Sequence, residues 1–89
     1  MRIADDVAWV DAAGLADAPS RAVYATRVPD GAPLVFDGSA WAIWTALAEQ
    51  ATDIAGRAAE LLGTSPTAGV RADVGAFLDR LKADGLTQN

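Results

Sequence analysis

The chain has 89 residues, 52% of them hydrophobic and 21% charged, with a formal net charge of −5 and neither histidine nor cysteine. That excludes Ser-His and Cys-His nucleophilic pairs, zinc sites built on the usual nitrogen and sulfur ligands, and a disulfide framework. A chain this short buries roughly 60 to 65% of its unfolded surface, enough for one modest core but not for a deep enclosed catalytic cavity. Alanine supplies 21 of the residues, so large core anchors are few.

In chain order, the N-terminal MRIADDVAWV has acids where a signal peptide carries bases. No stretch reaches the roughly 18 apolar residues of a membrane helix, so no membrane role and a cytoplasmic location are expected. Residues 7–11 (VAWVD), 22–28 (AVYATRV) and 33–37 (PLVFD) are short, β-branched and aromatic, and read as strands. Residues 12–20 (AAGLADAPS) read as a long loop. Asp30-Gly31 suits a tight turn, which would pair the second and third strands as an antiparallel hairpin.

After Gly38 the spacing becomes helical. Ser39 is a candidate cap for a first helix ending near Gln50, with Ala40, Ile43, Trp44, Leu47 and Ala48 as its apolar stripe. Thr52-Asp53 opens a second helix that buries Ile54, Ala55, Ala58, Leu61 and Leu62, and Gly63 stops it. Ser65-Pro66 is read as cap and first position of a third helix carrying Val70, Val74, Phe77, Leu78 and Leu81. Gly85 ends that helix and Leu86 folds back. Trp44 belongs to the core, whereas Trp41 sits at the edge of its stripe, half exposed.

Catalytic signals are thin: the aspartates lie at strand ends and in loops, where solvated charge is the ordinary reading. Lys82, the only lysine, has no serine at helical spacing. Asp37-Gly38-Ser39 lacks the Asp-Ser order of a carrier-protein attachment site, and residues 63–69 lack the lysine and glycine spacing of a phosphate loop. No catalytic residue, metal or cofactor is expected. Seven basic residues scattered along an acidic chain argue against nucleic acid.

The order of these segments resembles the PqqD family, the precursor-peptide recognition elements of ribosomal peptide modification pathways. Leu34-Val-Phe-Asp-Gly-Ser-Ala-Trp-Ala-Ile-Trp44 leads into Leu47, Thr52-Asp53-Ile54-Ala55 opens a short second helix, and residues 70–81 run on to Gly85-Leu86. The resemblance covers roughly residues 20–87, within one domain spanning 1–89. Gln50-Ala51 stands where the family often has a glycine before the threonine, and Thr87 where another apolar residue is common.

The resemblance implies an α+β, winged helix-turn-helix-like fold, a three-stranded antiparallel sheet followed by three helices. It also implies a non-catalytic adaptor that binds the leader segment of a precursor peptide and presents it to a peptide-modifying enzyme or leader peptidase. The chain's own features are compatible with this reading. The third strand, with Pro33 at its start, suits a sheet edge, whose unpaired backbone groups can accept an extended peptide. Candidate binding residues are Leu34, Val35, Phe36 and Asp37 on that strand. The third helix would form the opposing wall through Val74 of its inward stripe and through the neighbouring stripe Arg71, Gly75, Leu78 and Lys82, with Arg71 and Lys82 meeting acidic leader residues. Two other readings are a winged-helix DNA-binding domain and a small module that homodimerises through Trp41 and the strand edge.

Overall fold

In a computed structural model, residues 1–11, 22–28, 31 and 33–88 are described. The loop expected over 12–20 and most of the turn around Asp30 lie outside them. The strands are β1 (Arg2–Ile3), β2 (Val7–Asp11), β3 (Ala22–Arg27), β4 (Leu34–Asp37) and β5 (Thr87–Gln88). The helices are α1 (Ser39–Ala48), α2 (Ile54–Leu62) and α3 (Ala68–Ala83). The fold is α+β, a three-stranded antiparallel sheet in the order β2-β3-β4 followed by three helices.

Register explains which strand residues are inside. Trp9 faces Ala25, which faces Leu34, and Val23 faces Phe36. Directly opposed residues share a sheet face, and the period-2 alternation carries the assignment along each strand. That face looks at the helices, where Val23 and Ala25 are fully covered. The other face carries Val10, Tyr24 and Val35 in one cross-strand row.

Trp44 is the centre of the core. It is fully buried, stacked on Phe36 with ring centroids 5.1 Å apart and met edge-on by Trp9 at 6.0 Å. Leu47, Leu81 and Leu86 complete this cluster. A second cluster lies between the helices and is built from Ala42, Ile43, Ala55, Ala58 and Val74. Trp41 is half-buried and packs against both clusters. The helix α1 is buried beyond a single stripe, with Ala42 and Ala46 fully covered.

The helix caps and the end of α1 differ from the sequence expectation. Ser39 is already helical: the chain turns from β4 into α1 at Gly38, which takes the cap position, and no side chain caps it. The helix closes at Ala48 rather than near Gln50, because Gln50 has left-handed φ of 57°. The cap of α3 is Thr67 instead of Ser65, since the Thr67 hydroxyl accepts the Val70 N–H at 3.2 Å and the helix starts beyond Pro66. At α2 the cap is Asp53 rather than the expected Thr52 hydroxyl, its carboxylate accepting the Gly56 N–H at 3.1 Å, and Gly63 ends the helix as expected.

A second, two-stranded sheet was not anticipated. Gly85, at φ 75°, turns the chain so that Leu86 enters the core and β5 pairs with β1. Such two-residue strands are too short to show an alternation in the sequence.

Candidate peptide-binding edge

Among the described residues β4 pairs on one side only, with β3, leaving its other edge without a strand. In such an edge every second residue turns its N–H and C=O outward, where a further strand can bond them. The side chains along it differ. Leu34 is 37% exposed and Val35 55%, Asp37 is exposed, and Phe36 is half-buried under the sheet. Phe36 joins the strand to α3: its ring meets Phe77 edge-on at 5.7 Å.

Helical periodicity then divides α3 into two flanks around its buried line of Val74 and Leu81. Phe77, and Asp73 one turn before it, lie on the flank toward β4 and the start of α1. Arg71, Gly75 and Lys82 lie on the opposite flank. Arg71 holds the Asp53 carboxylate with two hydrogen bonds of 3.2 and 3.3 Å, which fastens α3 to the N-terminus of α2. The Arg71 guanidinium and the Gly56 N–H together keep Asp53 below its ordinary carboxylate range. Gly75 is exposed and a Cβ there would meet nothing, so no close approach within the chain requires a glycine. Leu78 is half-buried against both clusters, Val74 is buried among the helices, and Lys82 is exposed.

The structure thus brings Leu34, Val35, Phe36 and Asp37 together as one edge, whereas Arg71, Gly75 and Lys82 lie away from the Phe36–Phe77 contact. Sequence reasoning placed Phe77 only in the core and passed over Asp73. The available signal was the spacing of four between them, which sets both on one flank of α3.

A cavity of about 300 Å³ opens where β4 runs into α1. Its lining includes Ser39 and Ala40 from α1, Ala58 and Ala59 from α2, and Asp73, Val74 and Phe77 from α3. Ala40, Ala58 and Ala59 leave room in it, between the larger Ile43, Leu62, Val70 and Phe77. A second hollow, of about 320 Å³, lies over β2 and β3 and includes Val10, Tyr24 and Pro33.

The ion pairs brace the scaffold. Arg57 donates to Glu49 at 2.8 Å and to Glu60 at 3.1 Å, clamping α2 to the end of α1. Arg57 holds Glu49 below its usual range, and the two carboxylates raise the Arg57 value. Arg27, at the end of β3, binds Asp6, just before β2, at 3.2 Å. Among the described residues no cluster of acids suggests a metal site, and no helix is long and apolar enough to cross a membrane.

The family model for coenzyme PQQ synthesis protein D (PqqD) matches residues 26–86, which takes in β4 and all three helices. No curated protein and no solved structure gives a significant match. The matching family is one of accessory proteins in the biosynthesis of PQQ and related ribosomal peptide products, whose members interact with a peptide substrate and modifying enzymes.

Proposed function

The chain belongs to the PqqD family, and from that premise we propose that it is a non-catalytic adaptor that takes up the leader segment of a ribosomally made precursor peptide as a fourth strand on β4. It holds the peptide there for a modifying enzyme or leader peptidase. The observation that carries this reading is the outer edge of β4, unpaired among the described residues, with Phe36 of that strand in contact with Phe77 of α3.

Backbone pairing supplies affinity with little demand on sequence, so selection falls to the flanking side chains. Leu34 and Phe36 face the helices and would meet every second residue of the guest; Val35 and Asp37 would meet the alternate ones. From α3, Phe77 and the half-buried Leu78 supply apolar surface, with Val74 beneath them. The solvent-exposed Arg71, Gly75 and Lys82 flank is left to the periphery of the complex or to the partner enzyme.

Calorimetric titration with synthetic leader segments of the short peptides encoded beside this gene tests the proposal. A dissociation constant on the order of micromolar, about −8 kcal/mol, is expected for the cognate leader. Leu34→Glu is expected to weaken it at least tenfold with the circular dichroism spectrum unchanged, and Val10→Lys on the far strand to leave it intact. Equal binding by all three proteins, or none by the wild type, overturns the reading.

A further inference from the structure

The cavity at the end of β4 gives part of the guest a chemistry, on the strand-addition reading above. Its floor is apolar, from Ile43, Ala58 and Val74, and Phe77 walls it on the side of Phe36. Its volume of about 300 Å³ lies at the small end of the range of about 300–1,000 Å³ occupied by ligand pockets. Ser39 and Asp73 stand exposed at its rim, and Asp73 is the one charged residue of the lining.

The charges around it are unevenly committed. Arg2, Arg27, Arg57 and Arg71 each hold a carboxylate. Asp73 holds no cation among the described residues, and Arg80 and Lys82 line no part of the cavity.

We infer that the cavity receives a lysine or arginine side chain of the bound peptide. Its aliphatic stem would lie on Ile43, Ala58 and Val74, and its cationic head would reach the Asp73 carboxylate at the rim. This division suits a long basic side chain, which covers apolar surface with its methylenes and keeps its charge in water. The head stays at the solvent-exposed rim, so the large penalty of a buried unpaired charge does not arise. An acidic guest residue at the same place would instead face Asp73 as a like charge.

The test is selection from a displayed library of random twelve-residue peptides on three intact proteins: wild type, Asp73→Arg and Ala40→Leu, each checked for fold by circular dichroism. Wild-type binders are expected to align with lysine or arginine enriched at one position. Asp73→Arg is expected to abolish or invert that preference, and to weaken a wild-type binder by about three- to tenfold, less so at high salt, as a rim charge does. Ala40→Leu narrows the cavity without touching the charge and is expected to weaken the same binder while its basic preference falls. Binders without a basic position, or a preference unmoved by Asp73→Arg, overturn the cation assignment and leave strand addition standing. If no peptide is enriched on any of the three, strand addition itself fails and this inference with it.

Discussion

The two apolar clusters of this molecule draw on one composition and end in opposite states. Under the sheet, Trp44 meets Phe36 and Trp9 ring to ring, and Leu47, Leu81 and Leu86 close the remaining space. Between the helices, Ala42, Ala55 and Ala58 pack with Ile43 and Val74, and a cavity of about 300 Å³ is left beside them. In an alanine-rich chain the few large side chains decide where density is complete. The cavity lies on the alanine-rich side, and among the described residues the outer edge of β4 has no strand neighbour.

That contrast can be broken most forcefully at Trp44. Trp44→Ala removes the ring on which Phe36 and Trp9 rest, so urea denaturation should show a loss of about 3–5 kcal/mol. A loss below 1 kcal/mol would mean that the closed cluster is not the stabilising one. Gly85→Ala should be next. Its φ of 75° disfavours any side chain by about 1–2 kcal/mol, and a new Cβ would come within 2.9 Å of the Arg27 guanidinium, so the turn that delivers Leu86 would be strained.

Smaller effects sharpen the comparison from the helical side. Gln50 has left-handed φ of 57° between α1 and α2, where a glycine would be at ease. Gln50→Gly is expected to raise stability by about 0.5–1 kcal/mol, read as a higher urea midpoint; a fall would contradict the strain assigned to this position. The smallest effect is acid sensitivity. Glu49 has its folded value lowered by Arg57, so it adds stability above its unfolded value, and that stability is lost as pH falls through the folded one. The pair is exposed, so the contribution is small. Glu49→Gln should make the acid limb of a pH-stability profile slightly shallower, and an unchanged limb would count against it.

The three sheet strands were legible because each concentrates β-branched and aromatic residues: VAWVD over 7–11, AVYATR over 22–27 and LVFD over 34–37. The helices were legible from apolar spacing, but their starts were not. Hydroxyls at Ser39, Ser65 and Thr67 are chemically equivalent as caps, and backbone geometry decides among them. The pairing of β1 with β5 joins residues at opposite ends of the chain through two positions each, below any periodic signal.

The candidate edge was half legible. Pro33 and the brevity of LVFD mark an edge strand, and β4 is one. Periodicity separates the buried line of α3 from its flanks but does not say which flank meets which neighbour. Arg71, placed by spacing as a contact for the guest, also pairs with Asp53, while Asp73 stands at the cavity.

The most direct test of strand addition is amide hydrogen exchange along both outer strands, followed by NMR with and without a bound leader peptide. The account predicts that alternate amides of Leu34–Asp37 become protected in the complex while those of Val7–Asp11 keep their rates. Binding that leaves the β4 amides unchanged, or that protects β2 instead, would contradict it.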